Sequence, residues 1–136
     1  MNIEGIINIT GKPGLFKVIS TTNNSIIVES LIDGKRRPVS NQSKVNMLEE
    51  ICLYTYNDTK PLTEIFNKIA LKEKDKQTIN HKNSKKDLTN YFREILPEYD
   101  EDRVYISDIK KVIQWYNLLQ SLNLIKSKKE ENNNNK

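Results

Sequence analysis

The amino-acid sequence predicts an α+β protein in which a small β-barrel is followed by a helical region. Short runs rich in β-branched residues, separated by turn sequences, fill the first 57 residues. After Pro61 the apolar residues recur at helical spacing instead. A chain of 136 residues can bury a core without metal or disulfide, and its single cysteine excludes an intramolecular disulfide.

The lobe at residues 1–58 is predicted to be an SH3-like β-barrel, because its strands are few, short and joined by tight turns. Pro13 presets φ and Gly14 can take a positive φ, as a type II turn requires. Asp33–Gly34 is a strong hairpin signal, and Pro38 favours an edge strand. The five predicted strands are IINI (6–9), LFKVISTT (15–22), SIIVESLI (25–32), KRRPVS (35–40) and ICLYTY (51–56).

The rest of the chain is predicted to be helical, with one polar interruption. Ser84 and Asp87 form a capping box at a helix start, and Ser107 is the expected cap of the last helix. The core-facing residues of the first two helices are predicted to be Leu62, Ile65, Phe66, Ile69, Leu88, Tyr91, Phe92 and Ile95. The predicted segments are a connecting helix (60–71), a flexible basic linker (72–83), a helical pair (84–125) and a disordered tail (126–136).

The positive charge of the chain is concentrated in and around the two segments that are predicted to be flexible or disordered. The formal net charge is +4, but residues 72–86 alone hold six lysines against two acids. The tail 126–136 holds four lysines against two acids, and the remainder has twelve bases against fourteen acids. A bias toward AT-rich codons would load linkers with Lys and Asn, so net charge alone does not establish a nucleic-acid partner.

The last predicted helix, within DRVYISDIKKVIQWYNLL (102–119), is apolar over more than half of its circumference. One sector is an ordinary core face, whereas Trp115, Leu118 and Leu122 form an adjoining sector. Burial between the helices and the β lobe would explain this second sector, and so would a homodimer or partner contact. A DNA-reading helix would need more exposed polar and basic residues. The candidate partner-binding residues are Trp115, Leu118, Leu122 and Lys111.

Basic residues at two turns of the β lobe support an alternative, RNA-associated function. Loops at one rim of SH3-like barrels often bind RNA or peptides, and bases could stack on Phe16 or Tyr54. Protection of an edge strand by charge is the more ordinary explanation. The candidate RNA-binding residues are Lys12, Lys17, Lys35, Arg36 and Arg37.

Catalytic and metal-binding patterns are missing from the sequence. His81 lies in the polar linker, and Cys52 is expected to be a buried thiol in a strand. One Cys and one His cannot form a zinc site, and GKPG lacks the spacing of a phosphate-binding loop. We therefore expect no enzyme, no cofactor and no small-molecule substrate. The N-terminus lacks signal-peptide features and no apolar run could span a membrane, so a cytoplasmic protein is expected.

Four motifs, GKPGLFKVIS, IIVESL, LEEICLYT and DRVYISDIKKVIQWYNLL, resemble a group of small bacterial proteins known only as a domain of unknown function. The resemblance covers roughly residues 3–125. Thr10 stands where serine is expected, and no aromatic residue accompanies Arg37. The resemblance implies a bacterial cytoplasmic protein without an assigned activity. The leading hypothesis is therefore a non-enzymatic protein-binding adaptor or structural module, and the competing one is an RNA-associated module.

Overall fold

The computed structural model describes residues 3–40 and 42–128, and it is a mixed α+β protein, as predicted. The first five strands are β1 (Ile6–Ile9), β2 (Phe16–Thr21), β3 (Ser25–Ser30), β4 (Arg36–Ser40) and β5 (Val45–Met47). They form an antiparallel sheet in the order β4-β3-β2-β1-β5. A 3-10 turn (Leu48–Glu50) leads to a two-stranded sheet of β6 (Cys52–Tyr54) and β7 (Thr59–Pro61). The helices are α1 (Leu62–Lys72), α2 (Lys85–Ile95) and α3 (Ile106–Ser121).

The five-stranded sheet is strongly curled. Five strands in a flat sheet would separate β4 from β5 by about 19 Å. Only four residues join these two strands, and the Ser43 N–H donates to the Ser40 carbonyl within that connection, which shortens it further. The sheet also buries an apolar cluster without help from any described helix. This inner cluster consists of Ile7, Ile9, Phe16, Val28 and Val39.

Barrel closure, however, is not found among the described residues. β4 pairs with β3 alone, and β5 pairs with β1 alone, so no ladder joins the two outer strands. Pro38 in the middle of β4 has no N–H to offer to a further strand. The strand expected at residues 51–56 pairs with β7 in the second sheet instead of completing a barrel. The predicted closed SH3-like barrel is therefore replaced by an open, curled sheet.

The main core lies between the other face of this sheet and the three helices. Ile6 of β1 and Leu15, which directly precedes β2, contribute to this core, and all eight core-facing residues predicted for α1 and α2 are buried in it. The Phe66 and Tyr116 rings pack with centroids 6.3 Å apart, which joins α1 to α3. No helix in the described ranges is long and apolar enough to cross a membrane.

The two predicted helix caps differ in outcome. The Ser84 hydroxyl accepts the Asp87 N–H at 3.1 Å, which confirms the cap of α2. Ser107 does not cap α3, because that helix begins at Ile106 and its N-cap residue is Tyr105, two residues earlier than predicted. The Asp108 carboxylate accepts the Tyr105 N–H at 2.9 Å and fixes this helix start instead.

The segment 72–83, predicted to be a flexible linker, is anchored to α3. The Asn117 side chain accepts the Thr78 N–H at 2.8 Å and donates to the Ile79 carbonyl at 3.0 Å. The Tyr116 hydroxyl donates to the Lys76 carbonyl at 2.8 Å. These hydrogen bonds, together with Ile79 packed against the main core, hold a largely polar segment in place, and its composition gave no sign of them.

The start of the predicted disordered tail also makes defined contacts. The Ser127 N–H and hydroxyl both donate to the Asp75 carboxylate, at 2.7 and 3.0 Å. The Lys128 N–H donates to the Asn67 side chain of α1 at 2.7 Å. The remaining tail residues, 129–136, lie outside the described part of the chain.

Candidate protein-binding cleft

A cleft of about 250 Å³ lies where α3 approaches the edge of the five-stranded sheet. We call it the Trp115 cleft. Its apolar wall combines the start of β6 and α1 with α3 and consists of Ile51, Leu53, Leu62, Val112 and Trp115. Its polar residues are Asn8, Asn46, Asp108 and Lys111.

Trp115 is the central apolar residue of this cleft. It follows Val112 by three positions, so the helix places both side chains on one face. The side chain is only 7% exposed and belongs to the main core. Its indole N–H nevertheless has no acceptor within the described residues. A buried Trp N–H usually finds a partner, so this group is an exception among buried polar groups.

Two asparagine side chains from the sheet face the same space. Asn8 of β1 and Asn46 of β5 are directly paired across the two strands. Their neighbours Ile7 and Ile9 point to the opposite side, into the inner cluster. Neither side-chain amide has a hydrogen-bond partner in ranges 3–40 and 42–128. Each amide offers both a donor and an acceptor.

The rim contributed by α3 carries two charged residues in different states. The Asp108 carboxylate is already engaged by the Tyr105 N–H. The Lys111 side chain is exposed and makes no ion pair with any described residue. The rim therefore carries one negative and one positive group, and of the two only the Lys111 ammonium has no hydrogen-bond partner among the described residues.

The structure brings together only part of the partner-binding set proposed from the sequence. Trp115 and Lys111 share the cleft, whereas Leu118 is half-buried against the main core. Leu122 follows the end of α3, where 41% of its surface is exposed.

Sequence reasoning missed the two asparagines of the Trp115 cleft. The one available signal was Asn8, the single polar residue inside the apolar run IINI.

The basic residues proposed for RNA binding are divided between two places. Lys12 and Arg37 line a separate cavity of about 440 Å³ at one end of the sheet. Lys17 and Arg36 lie instead in a cross-strand row on either side of Glu29. Lys35 is exposed at the turn between these strands.

Ion pairs reduce the positive potential of this surface. Arg36 Nε lies 3.0 Å from Glu29, and an Arg37 nitrogen lies 4.0 Å from Asp33. The Lys35 backbone N–H is the main cause that lowers the pKa of Asp33, and Arg37 adds to it, so this carboxylate stays charged.

Of the two aromatic side chains expected to stack on bases, Phe16 lines the cavity with Lys12 and Arg37, but almost none of its surface is exposed. Phe16 is 4% exposed within the inner cluster. Tyr54 lies on the second sheet instead, and one face of its ring is occupied by the Arg103 guanidinium, 4.5 Å from the centroid.

The prediction that Cys52 is a buried thiol is wrong. β6 turns Leu53 toward the main core and leaves both of its neighbours, Cys52 and Tyr54, exposed. Only the face of β6 that carries Leu53 is packed against other residues. The alternation in ICLYTY does not show which of the two faces of the strand is packed.

Family models then place the chain among known proteins. A model described as a domain of unknown function (DUF6852) matches residues 51–119, just over half of the chain. The chain belongs to this family. A second domain of unknown function (DUF5606) matches residues 3–48. The resemblance to proteins of unknown function is thus confirmed.

One solved structure shows the same fold. It is a solution NMR structure of a protein from Bacteroides vulgatus, 41% identical in sequence, with a TM-score of 0.75. The match covers 91% of this chain and 89% of that one. None of the curated proteins matches the chain.

The Trp115 cleft of this DUF6852 member is shared by both matched regions. Asn8 and Asn46 come from the DUF5606 match, and Leu53 and Trp115 come from the DUF6852 match. The cleft therefore requires both parts of the chain.

Proposed function

We propose that this protein is a non-enzymatic protein-binding adaptor, and that the Trp115 cleft receives a short peptide segment of its partner. The observation that carries the proposal is the Trp115 indole N–H. It lies in a side chain that is 7% exposed, beside open space, without an acceptor among the described residues. A peptide carbonyl would satisfy it.

The size and lining of the cleft support a peptide side chain as the occupant. At about 250 Å³ the cleft is smaller than the roughly 300–1,000 Å³ of typical small-molecule pockets. Burying one apolar side chain contributes about 1.5–3 kcal/mol. The amides of Asn8 and Asn46 can pair with the N–H and C=O groups of a peptide. Lys111 would favour a carboxylate beside the buried side chain.

The test is a peptide-library selection with charge-swapped variants. We expect the wild-type protein to enrich peptides that have a large apolar residue within two positions of Asp or Glu. Lys111→Glu should shift the neighbouring preference from acidic to basic residues. Lys110→Glu is the matched control, because Lys110 is exposed on the same helix but does not line the cleft.

Two results would contradict the proposal. One is the absence of enrichment over background with a protein whose circular dichroism shows it to be folded. The other is an enriched peptide whose affinity is the same for Asn46→Ala, Lys111→Glu and the wild type. Asn46 is exposed in a short edge strand, so its substitution should leave the fold intact.

The RNA-associated function remains the competing proposal, supported by Lys12 and Arg37 around the 440 Å³ cavity. It would give an affinity that falls steeply with salt, because phosphate contacts release counterions. Absence of binding to single-stranded RNA at low salt would remove it. A Lys12→Ala variant that binds RNA as well as the wild type would have the same consequence.

A further inference from the structure

A second surface is built from two loops that hydrogen bonds hold together. One is the turn between β6 and β7, and the other follows α2. The Asp100 N–H donates to the Tyr54 carbonyl and the Tyr56 N–H to the Glu98 carbonyl, each at 3.0 Å. These two bonds form an antiparallel bridge between Thr55 and Tyr99. The two loops therefore present one fixed platform.

Three tyrosines of this platform are unusually exposed. The exposed fractions are 45% for Tyr54, 56% for Tyr56 and 64% for Tyr105. Arg103 stacks on Tyr54, and Arg93 lies 5.0 Å from the centroid of the Tyr99 ring. The rings of Tyr56 and Tyr105 have no such cation among the described residues. We call this surface the tyrosine face.

The tyrosine face is also negatively charged, although the chain as a whole carries +4. Its two arginines are matched by carboxylates, since Arg93 pairs with Glu101 and Arg103 with Asp100. Lys85, which lines a cavity with Tyr105, is a cation without an ion pair among the described residues. Three exposed carboxylates remain without an ion pair or a side-chain hydrogen bond within residues 3–40 and 42–128. They are Asp58, Glu98 and Asp102.

We propose that the tyrosine face binds a basic segment of a partner protein, with Lys or Arg side chains stacked on Tyr56 and Tyr105. Cations are attracted to the faces of aromatic rings, and the free carboxylates supply complementary charge. The same negative charge disfavours an RNA partner. On β6, Leu53 lines the Trp115 cleft whereas Tyr54 is turned outward, so the two surfaces are distinct.

The first test measures aromatic stacking with a fluorescein-labelled ten-residue peptide of alternating Arg and Gly. We expect Tyr56→Ala combined with Tyr105→Ala to raise its dissociation constant about tenfold, which corresponds to about 1.4 kcal/mol. Ile32→Ala is the matched control, because Ile32 is 61% exposed at another turn. An unchanged constant in the double variant would overturn the proposal.

The second test measures charge and the class of partner. Glu98→Gln combined with Asp102→Asn should raise the dissociation constant of the Arg–Gly peptide several-fold at low salt. Glu49→Gln combined with Glu50→Gln removes the same charge from an exposed site on the 3-10 turn and should have less than half that effect. If both double variants weaken peptide binding equally, the attraction is nonspecific and binding at the tyrosine face is refuted. Tighter binding of an oligouridylate than of the peptide would refute it too.

Discussion

Replacing Asn117 by alanine should free the loop between α1 and α2. The substitution removes the acceptor of the Thr78 N–H, at 2.8 Å, and the donor to the Ile79 carbonyl, at 3.0 Å. Each buried backbone group left without a partner costs about 1–3 kcal/mol. Both loop residues are half-buried, so water can satisfy them in part. We therefore take the lower part of that range and expect a loss of about 2–3 kcal/mol.

Urea unfolding followed by circular dichroism would measure this loss. Hydrogen exchange at the Thr78 amide should accelerate in Asn117→Ala, because its acceptor has gone. Gln114→Ala is the matched control on the same helix, since Gln114 is half-buried and has no hydrogen-bond partner among the described side chains. The control should change the free energy of unfolding by less than about 0.5 kcal/mol. A similarly small change in Asn117→Ala, with unchanged exchange at Thr78, would show that the loop is not held in this way.

Further predictions concern backbone strain, alkaline pH and thiol access. Gly14→Ala and Gly11→Ala both place a side chain at positive φ, +81° and +87°, and should each cost about 1–2 kcal/mol in thermal unfolding. Gly14→Ala should cost slightly more because it meets Ile32, and a smaller loss would contradict this. Burial raises the pKa of Tyr116 to about 12, so the unfolded chain loses this proton first. Tyr116 should therefore make stability fall between pH 10 and 12 by at most about 1.4 kcal/mol per unit, and Tyr116→Phe should remove this contribution. Cys52 should react with a maleimide in the folded protein; protection until urea is added would contradict its exposure.

The helices were largely predictable from local spacing. The apolar residues at i, i+3 and i+4 in α1 and α2 are all buried, and the Ser84 cap needs only its own helix. β5 could not be predicted in the same way, because three residues are too short for an alternating pattern. Asn117 lies with Lys110, Gln114 and Ser121 on the polar side of α3, and such a polar side predicts exposure to solvent. Its role as an anchor depends on a loop 39 residues away.

The Trp115 cleft was predictable only in its helical half. Trp115 and Lys111 stand out because both lie on α3, the helix whose apolar surface covers more than half of its circumference. Asn8 and Asn46 meet through the pairing of β1 with β5, across almost 40 residues of sequence. No local pattern reports such a pairing. For the basic residues of the β lobe, the sequence overestimates the free positive charge. A count of charges along the chain does not show which acids lie beside them on neighbouring strands, as Glu29 lies beside Arg36.

β1 is the element whose two faces serve different parts of the molecule. Ile6 belongs to the main core with the helices, while Ile7 belongs to the inner cluster of the sheet. β1 therefore contributes apolar side chains both to the inner cluster, within the DUF5606 region, and to the main core, which the helices of the DUF6852 region complete. Separating them near residue 50 would strip apolar surface from both fragments. We expect a single cooperative unfolding transition and two poorly soluble halves. In evolutionary terms, neither region should be inherited as an independent domain unless another element covers the apolar surface that the other region covers here.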